Sequence, residues 1–206
     1  MRISLKTLLK RWGQPYSEQL GIDLESGREG EIFKWFLAAI LFGKPIQERV
    51  AATTYRLFAL RKVTSPESIE RTGWDGLVEL LDMGGYVRYD FSTATKLLSI
   101  VAELKKVYGS LTALHKLARN AADLESRLQK FKGIGPVTTN IFLRELRVVW
   151  PKADPEPAEL VKTTAKKLGI RLESFKRKSK EFIRLECALF RIGKAMAKGK
   201  KVDLDA

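Results

Sequence analysis

Apolar residues recur along this chain at helical spacing, and no segment shows the two-residue alternation of a half-buried strand. Ile32, Phe33, Trp35, Phe36, Leu37, Ile40 and Leu41 cover nearly every face of one helix, which predicts a central, buried element ended by Gly43-Lys44-Pro45. A second helix is predicted over 46–60. Ser65-Pro66-Glu67-Ser68 opens a short one, with Ser65 as N-cap and Pro66 at the first helical position. An amphipathic stretch over 74–81 stops before Gly84-Gly85. Residues 92–108 place Ala94, Leu97, Leu98, Val101, Leu104 and Tyr108 on one face, and Gly109 ends them. Short helices follow at 111–118 and 124–130. Pro151, Pro155 and Pro157 mark the clearest internal break, at 150–157, and helices resume at 158–168 and 178–198. The predicted fold is all-α, without a fixed-period repeat.

Composition narrows the class. A chain of 206 residues with 45% hydrophobic residues can bury a substantial core. No apolar run approaches the roughly 20 residues of a membrane span. The opening MRISLKTLLKRWG carries no signal-peptide cleavage pattern, so a cytoplasmic, nucleoid-associated location is expected. One cysteine, Cys187, excludes an intrachain disulfide, and a cysteine-ligated zinc site or iron–sulfur cluster built by this chain alone. The formal net charge of +14 favours polyanionic partners, although a basic surface kept for solubility would look the same. The run FKRKSK at 175–180 favours a solvated basic face over a phosphate clamp. His115, the single histidine, sits in an amphipathic stretch and is expected to be structural.

The informative segment is LQKFKGIGPVTTNIFLREL, residues 128–146. A helix ends near Phe131, Gly133-Ile134-Gly135 makes a tight turn, and Pro136 starts a second helix carrying Ile141, Phe142, Leu143 and Leu146. Two glycines permit positive φ and close approach of a phosphate to the backbone. Ile134 can anchor the turn between the helices. The N–H groups of Gly133, Gly135, Val137 and Thr138 then gather at a helix N-terminus, an anion site, with the Thr138 and Thr139 hydroxyls as further donors. An ordinary helix–turn–helix corner would use glycines too. The full pattern, with the basic charge behind it, points to the DNA backbone over residues 131–146.

This segment resembles the hairpin of the helix-hairpin-helix DNA glycosylase superfamily, the group of endonuclease III, adenine glycosylase and alkyladenine glycosylase. FKWFLAAILFGKPIQERV resembles that family's early core helix and following loop. LLDMGGYVRYDFSTATKLLSIVAELKKVYG resembles its glycine–aromatic segment and long helix, and ECALFRIGKAM its closing helix. The likeness runs from about Glu31 to Met196. It implies two helical lobes flanking a DNA-binding cleft. One is a six-helix barrel over 30–150 containing the helix-hairpin-helix at 124–146. The other combines both chain ends, 1–29 and 151–206.

The resemblance also implies chemistry. Removing a base passes through an oxocarbenium-like state that a carboxylate stabilises while activating water. The family's aspartate lies in the loop after the hairpin, here WPKADPEPAELV, which makes Asp154 the first choice and Glu156 the second. Bifunctional members carry a lysine nucleophile where this chain has Val137, so a monofunctional, water-using N-glycosylase is expected, as a monomer on double-stranded DNA containing a damaged or mismatched base. A bifunctional glycosylase/AP lyase working through another lysine, a non-catalytic DNA-binding protein and an RNA-binding scaffold are the alternatives. Base flipping needs a residue to fill the vacated stack. Lys44 and Gln47 stand in one family filler loop, and Tyr86, Val87 and Arg88 in another, with plain packing the competing role for Tyr86. Lys132 is expected to face phosphate. Trp12, Tyr16, Trp35 and Trp150 are candidate pocket walls, with core packing the default for Trp35. No cofactor is required. The resemblance further implies a structural monovalent or divalent cation on the backbone carbonyls of Gln129, Phe131 and Ile134.

Overall fold

The computed structural model describes residues 4–199, and among them every regular element is a helix. In chain order these are α1 (Leu5–Trp12), α2 (Tyr16–Gln19), α3 (Glu29–Phe42), α4 (Glu48–Leu60), α5 (Pro66–Met83), α6 (Asp90–Val107), α7 (Leu111–Leu117), α8 (Ala121–Lys130), α9 (Pro136–Glu145), α10 (Glu159–Lys167) and α11 (Lys180–Ala197). Single 3-10 turns lie at Leu24–Ser26 and Leu172–Ser174. No helix among the described residues is long and apolar enough to cross a membrane.

The chain divides into two compact units, Ile22–Phe142, and the two ends together, Met1–Gly21 with Leu143–Ala206. Local contacts account for where this division falls. The 3-10 turn at Leu24–Ser26 packs on α3, and the Asp23 amide donates to Glu31 Oε2 at 2.9 Å, which ties residues 22–28 to that helix. At the other side Arg144, Glu145 and Arg147 find their partners among residues of the two chain ends.

In the Ile22–Phe142 unit, α3 is the hub. Nine consecutive or near-consecutive residues from Ile32 to Leu41 are buried, as a helix apolar on all sides requires. The Trp35 indole N–H donates to the Phe142 carbonyl at 3.0 Å, so Trp35 is core, not pocket wall. The Phe36 ring packs at 5.0 Å from the Phe142 ring and 6.3 Å from the Phe131 ring, an aromatic cluster beneath the α8–α9 turn. Burying a phenylalanine like Phe36 contributes about 2–3 kcal/mol. Glu29, in the first turn of α3, accepts from the Leu111 and Thr112 amides, each at 2.9 Å, and so caps α7 from 82 residues away. The short helix at 65–68 and the amphipathic one from Trp74 run together as α5, bent at Gly73, whose φ of 68° and ψ of 179° interrupt the helix. Its start is a capping box, Ser65 and Ser68 each bonding the other's amide. His115 is buried.

In the unit of the two chain ends, α1, α10 and α11 enclose Leu8, Val161, Ala165, Phe182, Leu185, Ala188, Leu189 and Ile192. Helices α1 and α2 were not foreseen. α2 has only four residues, and a distant carboxylate holds it: Glu145 accepts from the Tyr16 amide (3.0 Å), the Ser17 amide (2.9 Å) and the Ser17 hydroxyl (2.7 Å). An anion at a helix N-terminus is favourable, and this one is buried with its lone pairs used.

Candidate nucleic-acid interface

The α8–α9 turn is built from the residues that fix its shape. Phe131 is buried at the end of α8, and its carbonyl accepts from the Ile134 amide at 3.0 Å, closing the turn. Ile134 is 4% exposed, wedged as an apolar anchor. Gly133 has φ of 87°, where a side chain is strained. Gly135 differs from the expectation. Its φ is not in the left-handed region, and a β-carbon built on it meets nothing within 4 Å. Neither backbone shape nor packing within the chain requires glycine there. Its carbonyl accepts from the Thr139 amide at 3.0 Å, the first bond of α9. The amides that precede Thr139 in α9 have no earlier turn of helix to bond to.

Around this turn Lys132, Pro136 and Val137 are exposed, Val137 at 63%. Thr138 and Thr139 are buried, so neither hydroxyl stands on an open surface; Thr139 Oγ1 has no hydrogen-bond partner among the described residues. Thr138 instead backs onto the end of α3, where a β-carbon on Gly43 would run into Thr138 Oγ1. The carbonyls of Gln129 and Ile134 receive no backbone N–H among the described residues, while one lone pair of the Phe131 carbonyl is taken by Ile134. Free carbonyl oxygens are the ligands a hard cation uses, so these three fit the expected structural ion, which would brace the turn and supply no reacting group. No group of three or more His, Cys, Asp or Glu side chains suited to a metal occurs among the described residues.

The structure separates the two candidate fillers of the glycine–aromatic segment. Tyr86 is 1% exposed and its hydroxyl donates to the Leu41 carbonyl, so it packs against α3 and offers no wedge. Burial holds its phenol far above the usual range. Val87 and Arg88 are exposed beside it. Gln47 is exposed at the N-cap position of α4. Lys44 is half-buried, with Nζ 5.3 Å from the Tyr89 ring centroid.

The candidate carboxylates sit in a network of the other unit. Arg147, fully buried, donates Nε to Glu186 Oε2 (3.0 Å), Nη2 to Glu186 Oε1 (3.2 Å) and to the Pro155 carbonyl (2.6 Å), and Nη1 to Asp154 Oδ1. Arg177 adds Nε to the same Asp154 Oδ1 at 3.0 Å, Nη1 to Glu156 Oε1 at 2.6 Å and Nη2 to the Pro155 carbonyl at 3.0 Å. Both guanidinium contacts to Asp154 fall on Oδ1, and Oδ2 has no hydrogen bond among the described residues. The Asp154 side chain is 28% exposed and that of Glu156 71%. Glu186 is 1% exposed; burial raises its pKa, with Arg147 opposing. The basic run at 175–180 is thus not simply solvated: Arg177 and Lys178, the latter bonded to the Pro151 carbonyl at 2.5 Å, clamp the proline-rich loop. Arg147 and Arg177 were missed in the sequence. A lone arginine after a helix and one member of a charge run carry no local mark of their partners.

Tyr16 and Trp150 are buried at 3% each, and Trp12 is half-buried. Tyr16 lies between two guanidiniums, Arg191 at 4.0 Å and Arg144 at 5.3 Å from its ring centroid. Comparison with family models, with curated proteins and with solved structures returned no match to this chain.

Proposed function

We propose that this chain is a DNA N-glycosylase that grips duplex DNA through a helix-hairpin-helix at 124–146 and hydrolyses the bond to a damaged or mismatched base. The observation that carries the DNA grip is Gly135. The fold leaves the space at its α-carbon empty and its backbone unstrained, so the glycine is explained by something outside the chain coming close to the turn. A phosphate is the group that the unbonded amides of a helix start and a charge of +14 would bring there. The glycines and the buried Ile134 hold the amides in place before DNA arrives, so little ordering cost falls on binding.

For the chemistry, Asp154 supplies the carboxylate. Arg147 and Arg177 fix its Oδ1, which leaves Oδ2 to face a developing oxocarbenium ion or to take a proton from water. Glu156 is the second choice, and it is already engaged by Arg177. Val137 offers no amine at the position of the family's nucleophile, which supports hydrolysis over lyase chemistry.

One observation favours a second reading, a DNA-binding protein without catalysis. Two guanidiniums on one carboxylate neutralise much of the charge that would stabilise a cationic transition state. A panel of single-lesion duplexes decides between them. The enzyme reading expects excision by the wild type, loss of at least a hundredfold in rate for Asp154→Asn, and unchanged DNA affinity. Retained binding with no lesion cut by the folded wild type would leave the binding-only reading.

A further inference from the structure

Within the Ile22–Phe142 unit, three segments distant in sequence bring cations to the α8–α9 turn. Lys96, on α6, lies across Gly133: a β-carbon on that glycine would sit 2.6 Å from Lys96 Nζ and 2.8 Å from its Cδ. The lysine stem therefore occupies the space that the missing side chain leaves. Lys44, from the corner between α3 and α4, is the neighbouring cation that, after burial, lowers the Lys96 pKa. Its neighbour Gly43 abuts Thr138 in the first turn of α9. Arg88 and Lys44 share the Tyr89 ring, at 5.8 and 5.3 Å from its centroid. Lys132 stands exposed beside Gly133.

No carboxylate joins this group. Among the described residues Lys44, Arg88, Lys96 and Lys132 form no ion pair, although other lysines of the same unit do, Lys34 with Glu31 and Lys105 with Glu70. Two ammonium groups that repel each other beside the first amides of a helix are stabilised by an anion or by the loss of a proton. The described residues do not supply the anion.

We propose that Lys44 and Lys96 are the side-chain half of an anion cradle whose backbone half is the Gly133–Gly135 turn, and that it takes one phosphodiester group of duplex DNA. The proposal rests on the reading of 124–146 as a DNA grip and adds to it two residues from outside the hairpin. It reassigns Lys44 from filling a vacated base stack to holding the backbone. It also gives the grip a pH dependence. Burial and the adjacent Lys44 bring Lys96 down to about 8, so near that pH the free protein holds Lys96 about half protonated. The charged group that acts on it is Lys44 from the α3–α4 corner, a cation; Arg88 lies on the Tyr89 ring that Lys44 also faces, and Lys132 is the exposed neighbour of Gly133. A bound phosphate reverses their effect and raises the Lys96 pKa. DNA binding then takes up a proton as pH rises through 8. Affinity is full below that value and falls above it, by up to about tenfold per pH unit, until the bound-state pKa is passed.

The test is fluorescence anisotropy of the full chain with a labelled, lesion-free duplex of about 20 base pairs, across salt and from pH 7 to 9.5. Wild type, Lys96→Met, Lys96→Arg and Lys44→Met are compared after thermal melts establish that each is folded. Lys96→Met is expected to lower the slope of log affinity against log salt by about 1 and to flatten the pH profile. Lys96→Arg is expected to keep the slope and lose the pH dependence, since arginine stays charged. Lys44→Met is expected to lower the slope and shift the falling limb to higher pH. Wild-type slope and pH profile in both methionine variants would overturn the cradle while leaving the hairpin grip standing. A wild type with no affinity for duplex would overturn the grip itself. Borohydride trapping of Lys96 on an abasic duplex, with the salt slope unchanged in Lys96→Met, would make Lys96 an amine nucleophile and refute the phosphate role.

Discussion

Replacing Arg147 by methionine removes a fully buried guanidinium while nearly conserving its bulk, and the structure sets the expected cost. Glu186, 1% exposed, would lose its ion pair with Arg147 and both hydrogen bonds from it. Breaking a buried pair from one side costs about 3–5 kcal/mol, because a charge is left desolvated. Asp154 and the Pro155 carbonyl add less, since both keep Arg177 and Asp154 is part-exposed. Against a total stability of about 5–15 kcal/mol this is a large loss. It should also depend on pH. Burial already holds the Glu186 pKa above its unfolded value, and without Arg147 it rises further. A carboxyl with a raised folded-state pKa favours the native state below its unfolded pKa. That contribution is lost as pH rises through the folded-state value. The deficit of Arg147→Met is therefore greatest at pH 8 and shrinks toward pH 5. Urea unfolding followed by tryptophan fluorescence at both pH values measures it. Arg147→Met with Glu186→Met should recover most of the loss, as apolar replacement of a buried pair is near neutral. A loss below 1 kcal/mol, or an equal loss at both pH values with no recovery in the double variant, would show that Glu186 is not left as an uncompensated buried charge.

Tyr86→Phe should cost about 1 kcal/mol in urea unfolding, for the hydrogen bond to the Leu41 carbonyl, and leave duplex affinity unchanged; a tenfold loss of affinity would restore Tyr86 as a wedge. Glu29→Ala should cost about 1–2 kcal/mol by freeing the Leu111 and Thr112 amides, with hydrogen exchange fastest in α7; uniform exchange would contradict the cap. Val137→Lys, at a site 63% exposed, should fold with an unchanged melting temperature and acquire borohydride-trappable Schiff-base formation with an abasic duplex; absence of trapping would detach α9 from the proposed chemistry.

Helix positions were legible where a local rule sets them. Ser65-Pro66 announces the start of α5 by itself, and the all-round apolar run of α3 announces its burial. α2 was not legible, because what holds it is Glu145 rather than anything in its own four residues. The glycine pair of the turn was legible as a pair but not in its division of labour. Gly133 serves backbone shape, whereas Gly135 is left without a reason inside the chain. Tyr86 illustrates the limit of a motif. Its place after Gly84-Gly85 suits a wedge or a packed ring equally, and only the position of Leu41 decides. Lys96 gave no signal at all among the lysines of a basic chain, since its distinction comes from Gly133 and Lys44, both remote in sequence. Arg177 was misjudged for the same reason: a charge run looks solvated until its acceptors, the Asp154 carboxylate and the Pro155 carbonyl, are seen.

The claim most exposed to test is that the 131–146 turn approaches the DNA backbone, and Gly135→Asp tests it most directly. A β-carbon at Gly135 meets nothing within 4 Å and the backbone there is unstrained, so the variant should fold with a melting temperature close to wild type. Its carboxylate would stand where the phosphate belongs. Its affinity for duplexes of any sequence is expected to fall at least tenfold, with a shallower salt dependence. A stably folded Gly135→Asp protein that binds duplex DNA as the wild type does, at every salt concentration, would contradict it.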